Sequence, residues 1–134
     1  SELLELDLSN FITTNVENIG ALCYGCSNLT SVNLSSFDTS NVTDMSSIFY
    51  GYKGKTLDLS SFNTANVVDM DAMFYHCTNL ESLDISNFDF SSATEYSNIF
   101  GNVPAGCEIL VKDQTAKDWV LARRSDLTNV KIKS

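Results

Sequence analysis

Over the stretch LTSVNL, residues 29–34, apolar and polar positions alternate, so that Val32 and Leu34 face one way. The alternation returns in LESLDI, 80–85, with Leu83 and Ile85. A period of two over so few residues predicts a short strand with one wet face. The spacing then lengthens. Val42, Met45, Ile48 and Phe49 stand three or four apart, which predicts a short helix buried along one stripe. Between strand and helix lies SSFDTSNVTDM, 35–45, which nearly recurs as SSFNTANVVDM, 60–70. Its short polar side chains suit the orphan N–H groups of a turn into a helix. Asn41 with Asp44, Asn66 with Asp69, and Ser92 with Glu95 are therefore expected helix caps, the last a capping box.

The pattern is periodic. Phe11, Phe37, Phe62 and Phe88 are 26, 25 and 26 residues apart. Leu6, Val32, Leu57 and Leu83 form one apolar column, and Leu8, Leu34, Leu59 and Ile85 another. Val16, Val42, Val67 and Ala93 align after the Phe, followed by Ile19, Met45, Met70 and Tyr96. A unit of ~25 residues cannot bury its apolar side alone; stacking like columns solves this. The expected fold is thus an α/β solenoid: four strand–turn–short-helix repeats, about 3–28, 29–54, 55–79 and 80–107, with a parallel sheet on one side. Repeat 3 is one residue short and has Gly54 where the first Leu should stand.

Leu3, Leu6 and Leu8, like Leu29, Val32 and Leu34 or Leu80, Leu83 and Ile85, spell L-x-x-L-x-L, which resembles a leucine-rich repeat. The longer phrase LTSVNLSSFDTSNVTDMSSIFYG resembles the BspA-type leucine-rich repeat of bacterial surface proteins, over residues 3 to about 103. The ending CEILVKDQTAKDWVLARRSDLTNVKI resembles the tail that closes such arrays. Residues 108–134 are accordingly expected to be a C-terminal capping unit, strand–helix–strand, with Asp113 or Thr115 capping a helix through Arg124. Trp119 should pack onto repeat 4.

Charge narrows the partners. The net charge is −9, but it is divided: −12 before residue 112 and +3 from there to the end. An acidic body repels phosphate backbones, so nucleic acid is not an expected partner. No apolar run is long enough to span a membrane. The chain starts at Ser1 without a leader and reads as a mature or trimmed piece.

Candidate chemistry is sparse. Cys23 and Cys26 make a C-x-x-C, but no second such pair or His pair completes a zinc site. Cys26 and Cys77 share a core column and read as small hydrophobes, while a Cys77–Cys107 bridge between adjacent repeats is conceivable. His76, the only His, falls in a turn column with Gly25 and Gly51. No catalytic motif is present, and no enzyme activity or cofactor is expected. The wet strand face carries Glu5, Asp7, Ser31, Asn33, Thr56, Asp58, Ser82 and Asp84, the candidate partner-binding residues. Acids stacked so closely should raise one another's pKa, which weak calcium binding would relieve; the favoured reading is hydrated acids that discourage aggregation of an open sheet.

A repeated surface of this kind usually meets proteins or glycans. The resemblance implies an extracellular or cell-surface bacterial protein engaged in adhesion to host or neighbouring cells. The expected function is therefore a non-catalytic binding module for a protein or glycan. The alternative is a spacer or stalk segment of a longer array, with no ligand of its own. An end-to-end dimer through exposed repeat ends is possible for either.

Overall fold

The computed structural model describes residues 4–8, 14–26 and 28–133; the expected positions of Leu3 and Phe11 lie outside them. The chain winds as a parallel-strand β-solenoid of about four turns. Each turn contributes one short strand: β1 Glu5–Asp7, β2 Ser31–Asn33, β3 Thr56–Asp58 and β4 Ser82–Asp84. Then follow β5 Glu108–Val111, the helix α1 Gln114–Arg123 and β6 Val130–Ile132. All strand pairs are parallel, in two sheets: β1–β2, and β3–β4–β5–β6. Column mates lie side by side: Leu6 opposite Val32, and Leu57 opposite Leu83, which is opposite Ile109.

The helices expected within the repeats do not form; each of those segments is a series of turns. The reason lies in where the backbone N–H groups go. Met45, Ser47 and Phe49 donate to Asp69 O, Asp71 O and Met73 O of the next repeat, at 2.9, 2.8 and 3.1 Å. A helix would have required those donors for carbonyls four residues back. Ala21, Ser47, Ala72 and Asn98, one per repeat, also take φ between 54° and 59°, a left-handed conformation that a right-handed helix cannot contain. The three-or-four spacing therefore reflects a tight corner with several side chains turned inward.

The expected caps accordingly serve other ends. The side-chain amides of Asn41 and Asn66 donate to Thr14 O and Ser40 O of the preceding repeat, at 2.7 and 2.8 Å, and Ser92 Oγ donates to Ala65 O at 2.6 Å. Asp44 and Asp69 accept the backbone N–H groups of Ser46 and Asp71, both at 2.9 Å, closing local turns. The polar phrase is thus stitching between repeats as well as turn chemistry within them.

The interior is a set of ladders. Phe37, Phe62 and Phe88 are buried, and the last two stack at 6.5 Å with planes 7° apart. Phe49, Phe74 and Phe100 stack at 6.0 and 5.8 Å. A second line of backbone contact, opposite the strands, runs Asn18–Asp44–Asp69–Glu95 as single parallel bridges. A third line uses buried threonines. Thr39 Oγ1 donates to Asn63 O and accepts from Asn63 N, at 3.0 and 2.7 Å; Thr64 does the same with Asp89, at 2.9 and 2.8 Å. A hydroxyl both gives and takes, so one side chain satisfies two buried backbone groups.

Repeat 4 has Phe90 in the Thr column, and there the ladder ends. Phe90 stacks on Trp119 of α1, with centroids 4.0 Å apart and planes 3° apart, and Tyr96 meets the same indole edge-on at 5.4 Å. Arg123 lies over both Tyr96 and Trp119, at 4.4 and 4.3 Å, a cation–π arrangement. Asp113 is the N-cap of α1, accepting from Ala116 N at 2.9 Å. Arg124, just past the helix, donates to Phe100 O and Val103 O at 2.6 and 3.1 Å and pairs with Asp126. The closing unit is thereby tied to repeat 4 by stacking, charge and backbone hydrogen bonds.

Candidate functional site: an interrupted sheet face

The eight candidate residues all lie on the strands, as the alternation requires. Glu5 and Asp7 stand beside Ser31 and Asn33; Thr56 and Asp58 stand beside Ser82 and Asp84. The row is broken in the middle, because β2 and β3 belong to different sheets. Elsewhere, the residue after each strand donates across to the next: Leu8 to Asn33 O, Leu59 to Asp84 O and Ile85 to Leu110 O, at 3.0, 2.9 and 3.0 Å. The equivalent bond from Leu34 to Asp58 is absent.

The short third repeat explains the break. Leu29 and Leu80 fill the core ahead of their strands, but Gly54 has no side chain to offer. The buried ring of Tyr52 takes the space, and a Cβ on Gly54 would overlap that phenol. The ring meets Phe49 edge-on at 6.3 Å. Its hydroxyl lies 3.0 Å from Thr30 O and 3.2 Å from Thr56 O. At the other junctions the carbonyl before a strand accepts the next strand's amide, as Leu4 O accepts from Thr30 and Ser31, and Lys55 O from Glu81 and Ser82. At Thr30 O the phenol replaces that amide and wedges the strands apart.

The result is a cleft of about 310 Å³ between β2 and β3. Ser31, Asn33, Thr56 and Asp58, half of the candidate row, line it, with Ser35, Tyr52 and Ser61 among their neighbours. Asn33 Oδ1 is occupied by the amide and hydroxyl of Ser35, at 3.1 and 2.7 Å, and Asp58 Oδ1 by Ser60 N at 2.9 Å. These bonds hold both side chains at the cleft wall. Sequence reading found Ser31 but missed Tyr52, Ser35, Ser60 and Ser61 of the cleft; the missing residue before β3 was the available signal.

The row's far end is different. Lys133, beyond β6, donates to Asp84 Oδ2 at 2.7 Å. Burial pushes the Asp84 carboxyl up, but hydrogen bonds from Lys133 and Ser86 outweigh it and hold the pKa below the usual carboxylate value. The mutual raising expected along this row is therefore reversed at Asp84, through a cation supplied 49 residues later.

Carboxylate crowding occurs on the opposite bridge line instead. Among the described residues, Asp69, Asp71 and Glu95 bring oxygens within 4.8 Å of one another. A hydrogen bond to Asp69, and then the Asp69 charge, raise the Glu95 pKa. Such hard oxygen donors are of the calcium-binding type, but Asp69 and Asp71 already accept Asp71 N and Ser97 N, at 2.9 and 2.6 Å.

The thiols are structural in their surroundings. All four Cys are free, so Cys77 and Cys107 are not bridged. Burial pushes Cys23 and Cys77 up to about 12 and Cys107 to about 11, far from a reactive thiolate. His76 sits at a turn with φ 62°, packed edge-on against Tyr75 and Tyr50. Trp119 is spent on repeat 4. Among the described residues, no helix is long and apolar enough to cross a membrane.

Searches of curated proteins and of solved structures each returned no match. A family model described as "Mycoplasma protein of unknown function, DUF285" matches residues 1–112, the whole stack of repeats through β5. By that match the chain belongs to the DUF285 family.

Proposed function

We propose that this chain is a non-catalytic binding module that presents its strand face to a protein or glycan at a bacterial cell surface or outside the cell. The observation that carries the reading is the row Glu5 to Asp84: hydrogen-bonding side chains in parallel register on one exposed face, with a cleft at its centre. Rows of this kind supply many weak polar contacts at fixed spacing, which suits an extended partner. The resemblance of the repeats to BspA-type surface proteins supports the adhesive and extracellular part of the proposal.

The test is binding of the intact chain to a glycan array and to purified extracellular-matrix proteins, with the double variant Glu5→Lys, Asp58→Lys beside it. Charge reversal at these two exposed positions should weaken a partner of this face by about tenfold or more, the equivalent of ~1.4 kcal/mol. Binding that survives the reversal removes this face. No binding at all in either panel would favour a spacer segment.

A further inference from the structure

The cleft between β2 and β3 is a built feature, not a loose edge. It requires three departures from the repeat at once: a missing residue, Gly54, and a Tyr in a column otherwise held by Cys26, Cys77 and Val103. Tyr52 is 2% exposed and its hydroxyl lies between Thr30 O and Thr56 O, sharing its one proton between them, so the opening is held by the core.

The width of the opening limits its occupant. The Tyr52 oxygen is 3.0 Å from one carbonyl oxygen and 3.2 Å from the other. Those carbonyls are therefore at most about 6 Å apart. A peptide strand inserted between β2 and β3 would need them about 9–10 Å apart, twice the interstrand spacing. A strand does not fit unless Tyr52 leaves the core. A hydroxyl does fit, and the structure demonstrates it: the phenol oxygen occupies the equivalent place between Thr30 and Thr56. Thr39 and Thr64 likewise bridge repeats through hydroxyls.

The lining selects the same chemistry. Ser31, Thr56 and Ser61 offer hydroxyls, Asn33 an amide and Asp58 a carboxylate. Asp58 at the wall, on a body of −12, disfavours an anion. We propose that the β2–β3 cleft is a subsite for a neutral, hydroxyl-rich saccharide unit, whose hydroxyl groups enter the gap and replace the missing cross-strand hydrogen bonds. Asp58 and Asn33 then fix its orientation from the two walls. This specifies the ligand of the strand face proposed above and rests on that reading.

The experiment is a titration of the isotope-labelled intact chain with neutral mono- and disaccharides (glucose, galactose, mannose and N-acetylglucosamine types), followed by two-dimensional amide NMR. Shifts should concentrate on Val32, Leu34, Thr56 and Asp58. The variants Asp58→Ala and Asn33→Ala should each weaken binding by about tenfold, as the loss of a polar anchor does. Ser61→Ala, at an exposed residue of the cleft wall, is a milder probe that keeps the test valid should the first two unfold. No shift with any neutral saccharide overturns the subsite, as do shifts centred elsewhere or an affinity indifferent to all three variants. If a protein partner is nevertheless lost on reversal of Glu5 and Asp58, the strand face stands and only its saccharide fails.

Discussion

The junction between repeats 2 and 3 and the junction between repeats 3 and 4 join units of one repeat pattern, yet one sheet is open and the other closed. At the closed junction Leu57 pairs with Leu83, and Leu59 donates to Asp84. At the open one Tyr52 stands at the strand starts, between Thr30 O and Thr56 O, and Leu34 makes no bond to Asp58. On the other lines the two junctions are alike: Asp44 bridges Asp69 as Asp69 bridges Glu95, and Thr39 bonds Asn63 as Thr64 bonds Asp89. A solenoid turn is fastened along several parallel lines, so one can be opened for a ligand while the others keep the stack in register.

The comparison can be broken first through the core that both junctions share. Phe62 is 1% exposed and stacks on Phe88. Phe62→Ala should cost about 3–5 kcal/mol in denaturant unfolding, enough to loosen both sides together. The threonine line gives a sharper contrast. Thr39→Val and Thr64→Val each remove a hydroxyl that satisfies two backbone groups, at about 1–3 kcal/mol. If the lines share the load, Thr39→Val, beside the open sheet, should cost more than Thr64→Val; equal losses would show that the lines act independently.

Tyr52→Phe should cost about 1 kcal/mol by leaving Thr30 O and Thr56 O without the phenol. In the parent chain, hydrogen exchange at the Leu34 amide should outpace that at Leu59 and Ile85; equal protection would mean that the sheet is closed in solution. The smallest effect is expected at the closed junction's bridge line. Glu95 has a folded-state pKa raised above its unfolded value, by its hydrogen bond with Asp69 and the Asp69 charge. Its protonated form is therefore favoured in the fold, and stability from this group, full below the unfolded pKa, is lost as pH rises through the folded pKa. Glu95→Gln should raise Tm slightly at neutral pH and flatten the acid side of a Tm–pH curve.

The stack was legible because burial imposes the same demand on every turn: Phe37, Phe62 and Phe88 recur for one reason and end in one ladder. The helices were misread because spacing records only which side chains point inward. It cannot distinguish a helical stripe from a corner whose amides bond to the next repeat. Ser47 and Ala72, left-handed without being Gly, gave no warning, whereas Gly25 and Gly51 marked the second left-handed column openly. The candidate strand row could be read from alternation, but not its interruption. Gly54 showed that something was missing; that Tyr52 would fill the space depends on packing in three dimensions. The charge of the row was likewise misjudged, since Lys133 reaches Asp84 from a strand end far along the chain.

Phe90 gives the molecule a direction. Where Thr39 and Thr64 each reach forward to grip the following turn, Phe90 offers an aromatic plate that Trp119 covers. Another turn of the ordinary kind would find nothing to hold there. A lengthened version of this protein should therefore tolerate extra copies spliced between its middle turns, whereas copies grafted after residue 107 would have to evict the indole first.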